Sequence, residues 1–280
     1  MKSKTNCLST AMSDFVSRMR KCLLIGNSMN FAKSCSNNLI HLQPRSLSSS
    51  SSSSKCNLDC IQRTLLALGS MSAALMNPTR DDMVACSMET FFPQRFYKVR
   101  DMMLESEEGR SILRDEPIVN KNSVDLTSLS KLSHNTFGYR YYEFMTENRF
   151  DMDQRPEVHF IKDPLLRYVI TRYRQIHDFQ HVLLDLPPTV IGELILKMFE
   201  YSQMKIVPAF LSGTLAYPII STLRNKKLKR DNNYYTYLLP YAMNQARVAP
   251  FMMSIYFEKY FKEDIDEIRQ QWSISPLNCV

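Results

Sequence analysis

The feature that most constrains this fold is a pair of helical segments separated by two consecutive prolines. Asp163 followed by Pro164 is typical of a helix start, because aspartate caps the first turn and proline fits the first helical position. Apolar residues then recur at helical spacing as far as Leu184, and Pro187-Pro188 ends the helix. A second helix fits residues 190–204. Two helices joined by so short a loop pack antiparallel, so the stretch predicts a helical hairpin.

The rest of the chain also favours helices. Only six glycines occur among 280 residues, and none stand close enough together to form a Gly-rich phosphate-binding loop, which argues against the usual nucleotide-binding loops. Helices are predicted over residues 58–76, 80–88, 95–104, 109–113, 125–132 and 139–145, with one or two amphipathic helices over 234–271. The sequence therefore predicts an all-α fold, with a single helical domain over residues 56–280.

The net charge of +7 belongs to the N-terminal segment. Residues 1–55 hold eight basic residues and one acidic residue, whereas the rest of the chain holds 27 of each. The helical part therefore lacks the basic surplus typical of nucleic-acid-binding proteins. A serine run over residues 48–54 and the scarcity of acids are typical of a disordered mitochondrial transit peptide, and a disordered tail without a targeting role is the alternative.

The apolar segment over residues 206–220 is uncharged but contains two prolines and a glycine. We interpret it as a buried helix, with insertion into a membrane surface as the alternative. A basic run follows over residues 224–230. Its ordinary interpretation is a solvated loop, and contact with anionic lipid headgroups is the other.

The first helix of the hairpin carries two of the five histidines, His177 and His181, with Asp178 beside the first. Positions i, i+1 and i+4 adjoin on one helix face, and Glu193 would approach from the second helix. Two imidazoles and two carboxylates suit a divalent metal, zinc first. The ordinary alternatives are chance spacing of the histidines and a glutamate that is favourable in the first turn of any helix. Four protein ligands would close a structural site, whereas fewer would leave a catalytic position.

This part of the chain resembles the coenzyme Q biosynthesis protein 4 family. The run His177-Asp178-x-x-His181, followed by eleven residues and Glu193, is similar to that family's zinc-ligand motif. The resemblance extends over residues 58–275, and two positions depart from it: Asp81 stands where many members have histidine, and residues 86–88 replace a Leu-Gly type of stretch. Segments that share it are 67–70, 77–78, 82–85, 89–90, 136–138, 155–156 with 158 and 160, 168–169 with 172–174, 192–193, 239–240 and 256–258.

The resemblance implies a peripheral protein on the matrix face of the mitochondrial inner membrane. It also implies a zinc-dependent carbon–carbon lyase that removes the C1 carboxylate of 4-hydroxy-3-methoxy-5-polyprenylbenzoate, by a simple or an oxidative route. The implied partners are the other subunits of the ubiquinone-biosynthesis complex, a polyprenylated benzoate or quinone lipid, the membrane surface and a second copy of the chain. Nucleic acid is not among them.

Residue roles beyond the metal ligands are less constrained by the sequence. Arg172 and Arg174 are expected to neutralise the substrate head group, and a structural ion pair is an equal alternative for each. No residue is assigned as catalytic. The competing functional class is a non-catalytic, lipid-binding scaffold that organises the other ubiquinone-biosynthesis enzymes.

Overall fold

The computed structural model describes residues 60–76, 81–90, 93–155, 157–211, 214 and 234–277, which all lie within one compact unit, Lys55–Val280. The predicted transit segment, residues 1–55, lies outside the described residues. So do residues 77–80, the basic run 224–230 and most of the apolar segment 206–220.

The described residues form eleven α-helices and no β-strand, which confirms the all-α prediction. Shorter turns of 3-10 helix occur at Met152–Gln154, Met252–Ser254 and Phe257–Lys259, and a π-helix at Tyr234–Leu238. The α-helices are α1 Cys60–Met76, α2 Asp81–Thr90, α3 Arg95–Leu104, α4 Glu107–Asp115, α5 Leu126–Leu129, α6 Phe137–Glu147, α7 Pro164–Leu184, α8 Val190–Met204, α9 Val207–Leu211, α10 Leu239–Val248 and α11 Ile265–Gln271.

Helix α7 is the central element, because 14 of its 21 residues are buried. Its start is the one predicted from the sequence: the Asp163 carboxylate accepts hydrogen bonds from the backbone N–H groups of Leu165 and Leu166, at 3.0 and 3.3 Å. Helices α3, α6 and α8 pack against it, and α10 packs against α8. The hairpin α7–α8 therefore lies in the middle of the described structure.

An aromatic cluster fixes one side of α7. The ring of Phe179 lies 4.6 Å from that of Tyr141, 5.1 Å from Phe257 and 5.6 Å from Phe137, measured between centroids. All four residues are fully buried. Such pairs contribute about 0.5–1.5 kcal/mol each beyond the burial of their area. The cluster joins α6, α7 and the C-terminal segment, and it fixes the rotation of α7 against these two elements.

The C-terminal segment contains two α-helices, as the prediction of one or two allowed, but they cover less of it than predicted. Residues 234–271 form α10 and α11 together with a π-helix and two 3-10 turns. The break follows α10, where Ala249 is extended (φ −70°, ψ 150°), because a residue that precedes proline disfavours the helical conformation. The side-chain amide of Gln203 then binds the carbonyl of Pro250 at 2.8 Å and secures the turn.

The apolar segment after α8 is described only in part. Helix α9 covers its first residues, and Pro208 and Ala209 on it are buried. Among the described residues, no helix is both long and apolar enough to cross a membrane.

Candidate metal centre

The loop between α7 and α8 brings the ends of the two helices together. Asp185 ends α7 in the left-handed conformation (φ 52°), and the Leu186 N–H returns to the carbonyl of His181 at 2.9 Å. A side chain at Gly192 would place its Cβ 2.0 Å from the carbonyl oxygen of Pro187, so only glycine allows this close approach. The first turn of α8, which carries Glu193, is therefore held against the last turns of α7.

One carboxylate bridges two imidazoles at this junction. Glu193 Oε2 lies 3.2 Å from His177 Nε2, and Glu193 Oε1 lies 3.1 Å from His181 Nε2. The three side chains each offer a ligand atom within 4.8 Å of the others. Solvent reaches only part of this cluster, since the Glu193 side chain is 40% exposed and that of His181 is 1% exposed. The group is thus a candidate site for a cation that is reached from the side of Glu193.

The other ring nitrogens of the two histidines already have partners. His181 Nδ1 lies 3.0 Å from the carbonyl oxygen of Leu186, which can only accept, so Nδ1 carries the proton. His177 Nδ1 lies 2.7 Å from Glu200 Oε1, again an acceptor. In the neutral rings both Nε2 atoms therefore present lone pairs towards Glu193. Because a carboxylate also has no proton to donate, this arrangement is favourable only when a proton or a metal ion lies between these groups.

Glu200 anchors His177 from behind. It is fully buried, and its second oxygen, Oε2, accepts hydrogen bonds from Tyr173 Oη at 2.6 Å and Lys197 Nζ at 2.8 Å. Burial favours the protonated form of Glu200, but the positive charge of Lys197 and the interaction with His177 outweigh it and lower the pKa to about 2. Glu200 therefore stays a carboxylate inside the protein.

His177 and Glu193 each shift the pKa of the other. Burial and the Lys197 ammonium oppose protonation of His177, but Glu200 and Glu193 outweigh both and raise its pKa to about 9. For Glu193, burial raises the pKa, while His177 and His181 lower it well below the usual value. Two carboxylates thus create a site that attracts positive charge.

The order of these contacts gives the direction of the helices. Along α7 from its C-terminal end, His181 contacts Glu193, His177 contacts both Glu193 and Glu200, and Tyr173 contacts Glu200. Residues successively nearer the N-terminus of α7 contact residues successively nearer the C-terminus of α8. The hairpin is therefore antiparallel, as predicted.

Asp178, the fourth ligand expected from the sequence, lies in a different group. Its carboxylate forms an ion pair with Arg155, whose other terminal nitrogen donates to the carbonyl of Met152 at 3.2 Å. Both side chains of the pair are largely buried, with 16% of Asp178 and 20% of Arg155 exposed. The structure therefore brings together His177, His181 and Glu193, and it pairs Asp178 with Arg155.

The two arginines expected at the substrate head group bind protein carboxylates. Arg172 is fully buried and forms a two-pronged ion pair with Glu258, with one contact of 2.9 Å, and it also donates to the carbonyl of Ile255 at 3.2 Å. Arg174 donates to Glu89 at 2.8 Å. Both guanidinium groups therefore serve as links within the fold.

The sequence prediction missed Glu200 and Lys197. Both follow Glu193 on α8 at positions i+7 and i+4, a spacing that puts all three residues on one helix face. Glu193 already places this face of α8 against α7. The helical period alone would therefore have placed Glu200 and Lys197 beside His177. The detail that the period does not give is the distribution of partners between the two oxygens of Glu200.

The fold and the site together define a class of protein: an all-α protein whose central hairpin carries a histidine–carboxylate cluster suited to a divalent cation. The donor set of two imidazole nitrogens and one carboxylate matches the three protein ligands of open zinc sites. Residues 53–278 match the family described as coenzyme Q (ubiquinone) biosynthesis protein Coq4. The chain belongs to this family, which gives it a role in ubiquinone biosynthesis.

Curated relatives agree with the family. The chain is 38% identical over 217 residues to "Ubiquinone biosynthesis protein COQ4 homolog, mitochondrial" of Aedes aegypti, which covers 78% of this chain and 77% of that protein. It is 36% identical over 217 residues to the homologue of the same name from Anopheles gambiae, covering 78% and 75%. These relatives are named mitochondrial proteins.

A solved structure shares the fold. It is the crystal structure of a candidate ubiquinone biosynthesis protein from Nostoc punctiforme PCC 73102, with a TM-score of 0.59 and 17% sequence identity. The match covers 77% of this chain and 98% of that one. At this identity, the likeness concerns the fold.

Proposed function

We propose that this protein is the zinc-dependent carbon–carbon lyase that removes the C1 carboxylate of 4-hydroxy-3-methoxy-5-polyprenylbenzoate during ubiquinone biosynthesis. One observation carries the proposal: the Nε2 atoms of His177 and His181 converge on Glu193 while both Nδ1 atoms are bound elsewhere. That arrangement brings three ligand atoms within 4.8 Å of one another. Family membership supports the pathway, and the donor set supports zinc.

The chain's own residues would hold the metal and leave room for the substrate. His177 and His181 would bind through Nε2 and Glu193 through its carboxylate. With Asp178 paired to Arg155, the proposal leaves the fourth position to an oxygen of the substrate. Zinc bound there would supply Lewis-acid polarisation of the substrate's carboxylate or phenolate oxygen. Because Arg172 and Arg174 already bind Glu258 and Glu89, the proposal assigns neither of them to the head group.

The same proposal includes a location. Residues 1–55 would be the mitochondrial transit peptide, and residues 56–280 the domain that lies peripherally on the matrix side of the inner membrane. There it would work with the other subunits of the ubiquinone-biosynthesis complex. The basic, serine-rich composition of residues 1–55 and the mitochondrial names of the relatives support this location.

The direct test is release of CO2. The purified domain, 56–280, loaded with zinc, is incubated with the prenylated acid that carries an isotopic label in its carboxyl group, under aerobic and anaerobic conditions. We expect labelled CO2 that is lost after treatment with a chelator, is restored by zinc and is absent with His181→Ala. Equal release without zinc, or no release from the zinc-loaded protein under either condition, would contradict the proposal.

A second candidate function is a lipid-binding scaffold that organises the other enzymes. One observation favours it: Ile61, Leu65 and Leu68 of α1 are about half exposed, at 52, 46 and 50%, and they follow one another at helical spacing. Such an apolar stripe suits a lipid or protein surface. The scaffold would be favoured if a zinc-loaded protein released no CO2 but bound the prenylated acid, and if a Leu65→Ser, Leu68→Ser variant lost that binding.

A further inference from the structure

Glu200 is the most deeply buried carboxylate near the candidate metal centre, and it contacts the centre through a single atom. It is 0% exposed, and a carboxylate buried to this extent is very costly unless it is paired and hydrogen-bonded. Its partners are divided between its two oxygens. Tyr173 and Lys197 both donate to Oε2, whereas Oε1 lies 2.7 Å from His177 Nδ1.

This division distinguishes Glu200 from an ordinary structural ion pair. A structural role would be complete with Lys197, three residues away on the same helix, and with Tyr173. Both of these donors bind Oε2 and orient the carboxylate, so that Oε1 faces the imidazole. Lys197 Nζ also lies 3.3 Å from His177 Nδ1, which keeps a positive charge beside the pair. Glu200 therefore acts on the candidate metal centre through the Nδ1 atom of His177.

The second histidine is held differently. His181 Nδ1 donates to the backbone carbonyl of Leu186, a neutral acceptor, at 3.0 Å. A histidine that donates Nδ1–H to a carboxylate becomes a more basic ligand at Nε2 than one that donates to a carbonyl. The two histidines would therefore be unequal ligands, with His177 the stronger one.

We propose that Glu200 is the positioning residue of the metal centre: it fixes the tautomer and ring orientation of His177 and strengthens this histidine as a ligand. The inference rests on the proposed metal site. Tyr173 and Lys197 support it by holding Oε2, which leaves Oε1 for the imidazole. Loss of such a carboxylate partner typically lowers metal affinity about 10- to 100-fold.

The test compares Glu200→Gln with Glu258→Gln in the purified domain, 56–280. Glutamine keeps the shape of the side chain but removes its charge, and Glu258 is a matched control because it also pairs with a buried cation on α7. Zinc affinity is measured by competition with a chromophoric chelator, and the d–d absorption spectrum is recorded with Co²⁺. We expect Glu200→Gln to weaken zinc binding about 10- to 100-fold and to change the Co²⁺ spectrum, while Glu258→Gln changes neither.

A measurement on the unmodified domain covers the case in which Glu200→Gln does not fold. Long-range ¹H–¹⁵N NMR of the zinc-loaded protein reports the protonated nitrogen of each histidine. We expect a slowly exchanging Nδ1–H proton on His177, shifted further downfield than that of His181. Binding of zinc to His177 through Nδ1, or rapid exchange of this proton, would overturn the inference.

Failure of this inference is separable from failure of the metal site. If the unmodified domain binds no zinc, the metal site and the proposed function both fail. If it binds zinc and Glu200→Gln binds zinc with the same affinity and the same Co²⁺ spectrum, only the role of Glu200 fails.

Discussion

Helix α7 carries two kinds of buried polar cluster, and their charges differ. Arg172 with Glu258, and Arg174 with Glu89, each combine one guanidinium with one carboxylate. The cluster of the two histidines is different, because it combines two carboxylates with one permanent cation, Lys197. The arginine pairs are neutral by themselves, whereas the histidine cluster is one positive charge short while both rings are neutral.

The difference separates structure from function along a single helix. A neutral, hydrogen-bonded ion pair links α7 to its neighbours and needs nothing from solution. A cluster with an excess of carboxylate must take up a proton or a metal ion, and the orientation of both Nε2 atoms selects the place where it goes. The comparison predicts that damage to the first kind lowers stability, and that damage to the second kind lowers metal affinity.

Zinc itself should give one of the two largest effects. If the histidine cluster binds zinc, free zinc at a thousand times the dissociation constant should raise the free energy of unfolding by about 4 kcal/mol. Urea unfolding of the purified domain with zinc and with chelator measures this difference. His181→Ala should abolish the zinc-dependent part and leave the chelated protein folded. A His181→Ala variant that zinc stabilises as much as the unmodified protein would place the metal elsewhere.

Arg172→Met should lower stability by about 3 kcal/mol, because it leaves Glu258 without its partner in a largely buried position. This value is at the low end of the usual range, since the Glu258 side chain is 18% exposed. Zinc affinity, measured on the folded fraction, should not change. A variant that kept its stability but lost zinc binding would reverse the distinction between the two kinds of cluster.

Asp178→Asn tests whether Asp178 belongs to a neutral ion pair or to the histidine cluster. If Asp178 serves as the partner of Arg155, the variant should lose about 2 kcal/mol of stability, because both side chains are largely buried, and it should keep its zinc affinity. The competing result is a tenfold or greater loss of zinc affinity at unchanged stability, which would make Asp178 the fourth ligand. Arg155→Gln is the matched control, because it removes the same ion pair from the other side.

The reactivity of the Cys86 thiol should give the smallest effect. It tests the ion pair of Arg174 with Glu89, which lies beside this thiol. Burial raises the pKa of its thiol to about 11, with Glu89 adding to the shift and Ser70 and Arg174 opposing it. At pH 8 only about one thiol in a thousand is then ionised, so iodoacetamide should leave Cys86 unmodified in the folded protein. Peptide mass spectrometry with and without urea measures this. Rapid alkylation without urea would mean that α2 opens at the Glu89–Arg174 cluster.

The sequence was sufficient for elements with strong local signals. Asp163-Pro164 and Pro187-Pro188 mark the ends of α7 and the hairpin loop, and residues 95–104 and 190–204 form the helices that their periodicity predicts. It was insufficient after α10, where Ala249-Pro250 and contacts with α8 break a segment whose apolar pattern is continuous. Local periodicity does not report contacts made with distant helices.

The candidate metal centre was also predictable from the sequence only in part. Spacing within α7 and the hairpin was enough to predict that His177, His181 and Glu193 lie together, as they do in the structure. The partners of Asp178 and Arg172 are Arg155 and Glu258, which lie far away in sequence. No spacing rule connects them. The residues that share a helix or a hairpin were therefore predictable, and those that meet through tertiary packing were not.

The most direct test of the metal centre is a crystal structure of the zinc-soaked domain with anomalous diffraction data above and below the zinc absorption edge. The prediction is one strong anomalous peak bound by the Nε2 atoms of His177 and His181, at about 2.0–2.1 Å from each, and by the carboxylate of Glu193. No peak at this position, with Glu193 still bridging the two imidazoles, would contradict the central claim.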